Sequence, residues 1–302
     1  MQSSIVNASG AAALLGLLTA MPAEATLFTF NTGAVTNLMA TATRPSSAGK
    51  FEIESADDFF LTSETSINSA TFTGLLSGGT TIGEVRVQIY RVFPADSNVA
   101  RTSGPPTFST PEVPTRVNSP ADVEFADRDT ATGNLSFTTT LLNASFPALN
   151  SVQPMGIHPQ PGQRTGGNGP VTGEEVQFNV NFTTPFDLPA DHYFFVPQVE
   201  IIEPAGNFFW LSGTRPLVPS PFPPGVNDLQ EWTRDQFLDP DWLRVGTDIV
   251  GGATPPTFNA AFSVTGETVP EPASLSLLGA ALAGLVGLGW RRQRRRQSTP
   301  PA

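Results

Sequence analysis

The chain has 302 residues, carries 27 acidic against 16 basic side chains for a formal charge of −11, and contains no cysteine. The acidic excess argues against nucleic acid and anionic membrane surfaces as partners of the body. The missing thiols exclude disulfides and thiolate metal sites. Helix signals are scarce, whereas 29 prolines and 27 glycines break the sequence into short runs rich in Phe, Thr and Val, the composition of many short strands joined by turns.

In chain order, residues 11–20 are a short apolar run, and Ala23-Glu-Ala25 supplies a small-x-small site before Thr26. That is the form of a cleaved secretory signal over residues 1–25, because the run is too short to cross a bilayer and stay there. Residues 26–268 then read as one exported β domain. The stretch 26–269 holds 25 of the 27 acids and 11 of the 16 bases, a net charge of −14. Strands are predicted at 26–30, 57–61 and 66–73, the last alternating Ile67, Ser69, Thr71 and Thr73 against Asn68, Ala70 and Phe72. The strongest strand signal is 84–93, with Val85, Val87 and Ile89 on one face and Arg86, Gln88 and Tyr90 on the other. One packed face and one wet face favour an antiparallel sheet.

Residues 94–120 read as a long surface connection, and a strand follows at 135–141. Between them Asp122, Glu124, Asp127 and Asp129 place four carboxylates in eight residues. Oxygen ligands in a loop can hold Ca²⁺, but the spacing lacks the glycine and terminal glutamate of an EF-hand, and a solvated acidic loop is the plainer reading. A Gly-rich loop at 160–170 precedes strands at 175–182, 191–202, 208–211 and 256–264, with a helical turn expected over 227–232 behind an Asn227 cap. About ten to twelve strands with long loops predict an all-β, antiparallel two-sheet β-sandwich of jelly-roll type. Residues 56–74, opening Ala-Asp-Asp-Phe-Phe, resemble a recurrent opening of exported bacterial β-sandwich proteins.

Two readings compete for Trp210, Trp232 and Trp242. Aromatic faces stack on sugar rings, so an exposed indole would mark a carbohydrate site; burial in the core is the alternative. No Gly-x-Ser-x-Gly, His-Glu-x-x-His or phosphate-cradling turn occurs, and the histidines are two, His158 and His192. The chain therefore reads as non-enzymatic and without a cofactor other than the candidate Ca²⁺. The alternative is a polysaccharide-active hydrolase or lyase, which needs two carboxylates.

The C-terminus is the most specific stretch. Pro270-Glu271-Pro272 leads into residues 273–290, which carry no charge; at about 1.5 Å per residue they span roughly 27 Å, the thickness of a hydrocarbon core. This predicts a C-terminal transmembrane helix. Arg291, Arg292, Arg294, Arg295 and Arg296 would hold its end in the cytoplasm and place the body across the membrane.

Order and spacing over 269–296 resemble the PEP-CTERM sorting signal of exopolysaccharide-producing Gram-negative bacteria, also catalogued as the ice-binding protein C-terminal domain; the short tail at 297–302 departs from that pattern, which usually stops at the arginines. The resemblance implies that Pro270, Glu271 and Pro272 are recognition residues for an exosortase-type processing enzyme. It also implies that the membrane is a transient anchor and that the body ends at the cell surface or in the extracellular matrix. Signal peptidase and extracellular polysaccharide complete the expected partners.

Overall fold

The computed structural model describes residues 24–99, 109–110, 113–114, 117–157 and 164–270, and Thr26–Val269 form one compact unit. Its strands are β1 (Leu27–Asn31), β2 (Ala40–Ala42), β3 (Ile53–Phe60), β4 (Thr65–Ser77), β5 (Ile82–Arg91), β6 (Ser109–Thr110), β7 (Val113–Pro114), β8 (Ala126–Asp129), β9 (Leu135–Ala148), β10 (Ser151–Val152), β11 (Val171–Leu188), β12 (His192–Ile201), β13 (Asn207–Leu211), β14 (Trp232–Asp235), β15 (Leu243–Arg244) and β16 (Phe262–Thr268). A π-helical turn, Val245–Val250, and a 3₁₀ turn, Pro154–Gly156, are the helical elements among the described residues. None of these is long and apolar enough to cross a membrane. The expected span at 273–290, its arginine cluster and the signal at 1–23 lie outside the described residues.

The larger sheet has eight strands and the smaller six, in the order β15-β14-β3-β12-β5-β8, while β6 and β7 form a separate pair. In the larger sheet β4 is the axis. Along one edge it pairs with β11, which in turn carries β9; its other edge is shared by β16, extended by β1, and β13, extended by β2 and β10. Pairing is antiparallel except between β2 and β10. The sheets bury the main core between them, with Phe72, Phe178, Trp210 and Phe262 from the large sheet meeting Phe59, Val85, Val87, Ile89, Tyr193 and Phe195 from the small one. Phe195 stacks on Phe262 at 5.0 Å and Phe72 on Phe178 at 4.9 Å. The expected two-layer all-β architecture is therefore present.

Four local expectations are corrected. In β4, Ile67 pairs with Phe186 and Gly266 while Ser69 pairs with Asn181 and Thr265, so Asn68 is an unpaired bulge. The extra residue brings Ile67 onto the same buried side as Ala70 and Phe72, where strict alternation placed it opposite them. In β5, Tyr90 and Gln88 are buried rather than wet. The period of two holds, but the second face packs Tyr90, Phe194 and Val196 against Leu229, Trp232 and Trp242 from the chain that returns after β13. The turn expected at 227–232 is extended chain running into β14, and the last strand is centred about five residues later than predicted.

A third cluster lies on the far side of β4 and β13 from the main core. It gathers Leu75, Phe209 and Leu211 with Leu238, Leu243, Val245 and Ile249. The segment 214–250 thus covers both the outside of the small sheet and one end of the large one.

Candidate functional site

The described chain leaves the domain through a fixed corner. β1 and β16 pair from Leu27 opposite Glu267 to Asn31 opposite Ser263. One step further out, Thr268 N–H donates to Thr26 O at 2.9 Å and Thr26 N–H to Thr268 Oγ1 at 3.0 Å. Val269 N–H donates to Glu64 O at 2.8 Å. The next residue, Pro270, has no N–H to give, so the ladder stops there. The residue that follows the predicted signal cleavage and the residue that opens the Pro-Glu-Pro approach are thus hydrogen-bonded neighbours. Pro270 is half-buried; Glu271, Pro272 and Arg291, Arg292, Arg294, Arg295 and Arg296 lie outside the described residues.

The acidic run is partly strand and partly loop. Asp127 and Asp129 sit in β8, opposite Gln88 and Arg86 of β5. Asp129 accepts from Thr132 N–H at 2.6 Å, Glu124 from Gln88 Nε2 at 2.8 Å, and Asp122 from Asn98 N–H at 2.9 Å. Asp127 and Asp129, two residues apart, share one face of β8, and Asp122 and Glu124 precede the strand. Among the described residues no three His, Asp or Glu side chains converge as a metal ion requires.

The three tryptophans sit inside the domain. Trp210, Trp232 and Trp242 are 0, 2 and 1% exposed. Trp210 Nε1 donates to Ala261 O at 3.0 Å inside the main core, and Trp242 Nε1 to Ala121 O at 3.2 Å under the covering segment. The Arg234 guanidinium lies 4.2 Å from the Trp242 ring centroid. Trp232 Nε1 has no partner.

What sequence reasoning missed is a set of buried ionisable groups beneath 214–250. Arg234 of β14 pairs with Glu54 of β3, reaches Asp239 at 2.7 Å and donates to Tyr90 Oη at 2.9 Å, while Tyr90 donates to Glu54 at 2.6 Å. Burial raises the Tyr90 phenol well above its usual range, with the Glu54 charge adding to it. Nearby, His192 Nε2 lies 2.6 Å from Asp58 Oδ2, and Asp58 Oδ1 accepts from Leu229 N–H at 3.1 Å. Asp57, facing the other side of β3, accepts from Ala260 N–H at 2.8 Å; burial and the Asp58 charge hold its carboxyl well above the usual range. Glu231 is 1% exposed with neither oxygen bonded to a donor, and burial, opposed by the Thr41 hydroxyl, pushes it up to about 8. The only sequence signal for these groups was a charge inside an otherwise apolar strand pattern, as at Asp57-Asp58 and Arg234.

Chemically these groups fasten the covering segment to β3 and β5. Two surface cavities are defined nearby. One, of about 200 Å³, is lined by Arg215, Asp228, Gln230, Trp232 and Arg244 among others. The other, of about 560 Å³, is lined by Asn31, Thr214, Leu217, Val218 and two prolines. Asp228 is the single carboxylate in the walls of the first, and the second has none.

No curated protein and no solved structure matches the chain. A family model described as the PEP-CTERM protein-sorting motif matches residues 268–295, beginning on the last residue of β16. That motif implies export, sorting at a membrane and processing by an exosortase-type enzyme. The chain is a protein bearing the PEP-CTERM sorting motif.

Proposed function

We propose that the domain is a secreted, non-enzymatic, jelly-roll-like structural protein of the cell surface or of a biofilm's exopolysaccharide matrix. Signal peptidase releases it at residue 25, the helix over 273–290 holds it briefly in the inner membrane, and an exosortase-type enzyme removes that helix. The observation that carries this reading is the junction. The sorting motif starts at residue 268 and the last sheet hydrogen bond comes from Val269, so a cut beyond Pro270 yields a complete domain.

The non-enzymatic part of the reading is supported by the disposition of acids. A glycan hydrolase needs two carboxylates about 5 to 9.5 Å apart across an accessible cleft. Here Asp57, Asp58 and Glu231 are buried, and neither cavity described above pairs two acids. A polysaccharide ligand, in this reading, is met by the outer surface rather than by the three indoles.

Mass spectrometry of the protein recovered from outside the cell tests the reading. The natural chain is expected to start at Thr26 and to lack everything beyond the Pro-Glu-Pro region. A variant with Pro270, Glu271 and Pro272 changed to alanine is expected to stay cell-bound with its arginines attached. Identical masses for the two, both keeping the arginine tail, would refute sorting.

A further inference from the structure

The exposed edges of the two sheets differ in kind. β10 and β15 have two residues each, β1 has five, and β8 has four, of which Asp127, Arg128 and Asp129 are charged. Short edges and edge charges are how sheets avoid pairing with other chains. β9 has neither safeguard over its first half. It is 14 residues long, about 48 Å at about 3.4 Å per residue, without a single charge, and among the described residues its one hydrogen-bonded neighbour is β11.

From Leu135 to Leu141, β9 follows β11 in unbroken register, Leu135 opposite Phe182 and Leu141 opposite Val176. Ser136, Thr138, Thr139, Thr140 and Leu141 are exposed, so both faces of the strand are wet, and every second residue turns its N–H and C=O away from β11. Past Leu141 the ladder is broken by a bulge at Leu142 and again before Phe146. A partner strand therefore finds seven regular residues and then a twist that stops it.

We propose that β9 pairs antiparallel with β9 of a second copy over residues 135–141, with Thr138 on the two-fold axis. The strand is complementary to itself. Ser136 meets Thr140, Phe137 meets Thr139 and Leu135 meets Leu141, so hydroxyls face hydroxyls and the two leucines cross. Charge selects the place, because copies of a domain with net charge −14 repel one another except where an uncharged surface meets its like. Length selects the partner, because no other sheet edge among the described residues is both uncharged and seven residues long. The two-fold axis uses up both β9 edges, so the contact is isologous and closes as a dimer, without a filament.

The absence of native cysteine allows a direct test on the protein recovered from outside the cell. Sedimentation equilibrium is expected to show a concentration-dependent dimer. Thr138→Cys is expected to form a disulfide-linked dimer under mild oxidation at least tenfold faster than Val218→Cys, a control at an 85% exposed site. Thr138→Lys with Thr140→Lys, which keeps the fold by circular dichroism, is expected to sediment as a monomer. The proposal fails if the natural protein is monomeric at every concentration, if the lysine variant dimerises equally well, or if the two cysteine variants cross-link at the same rate. A monomer would leave the sorting of the protein as argued above.

Discussion

Glu231 shows how a single buried group can set the pH response of the whole domain. An ordinary glutamate ionises near 4.5, and in the fold this one is pushed up to about 8. Between those values the folded state binds more protons than the unfolded chain, so stability falls as pH rises from about 4.5 to about 8. Asp57, held high by the same burial, acts in the same direction. At about 1.4 kcal/mol per unit the Glu231 contribution is on the order of a few kcal/mol. Glu231→Gln is expected to flatten this slope. Its gain over the natural protein in denaturant unfolding should be large at pH 8 and small at pH 5, and parallel curves would show that burial there is incomplete. The sequence offered Glu231 only as one acid among 27; its environment is made by residues distant in sequence, such as Thr41.

At the scale of elements, the segment 214–250 behaves as a cover rather than a loop. It lays Leu229, Trp232 and Trp242 on the outer face of the small sheet, and the Glu54, Tyr90 and Arg234 network lies beneath it. A buried charge that loses its partner is costly, so this network sets the register of β14 on β3. Trp242→Ala is expected to destabilise the domain by about 3 to 5 kcal/mol, read from the denaturation midpoint, and to leave any polysaccharide affinity unchanged. A lost affinity at unchanged stability would return the ring to a binding role. β5 was legible because its period of two is strict. The identity of what covers its second face was not, since alternation says which residues share a side and nothing about what packs there. Asn68 was illegible for a related reason: a bulge is an insertion in pairing, visible only once the partners β11 and β16 are placed.

For the molecule as a whole, the pairing of β1 with β16 joins the two ends that the proposed processing would create. Removing β16 takes Phe262 and Val264 from the core and deprives β1 of the strand it pairs with. A chain of residues 26–269 is therefore expected to unfold in one cooperative transition, and a chain of residues 26–259 to lack that transition by calorimetry. Equal behaviour of the two would mean that β4 and β11 suffice to close the sheet. The same pairing gives the sorting tail a defined base, with one hydrogen bond from Val269 separating folded sheet from the Pro-Glu-Pro.

The strand content and the sorting motif were readable without a fold, because each depends on local order: periodicity in the one, a Pro-Glu-Pro followed by an apolar run and a block of arginines in the other. The surroundings of the acids and of the tryptophans were not, because a carboxylate becomes a ligand and an indole a platform only through the neighbours that long-range pairing supplies. Here that pairing gave Glu124 and Asp129 hydrogen-bond donors of the chain's own, and it buried Trp210 between the sheets and Trp232 and Trp242 against the small sheet. It also left β9, one unremarked polar strand among several, as the long uncharged edge of the sheet.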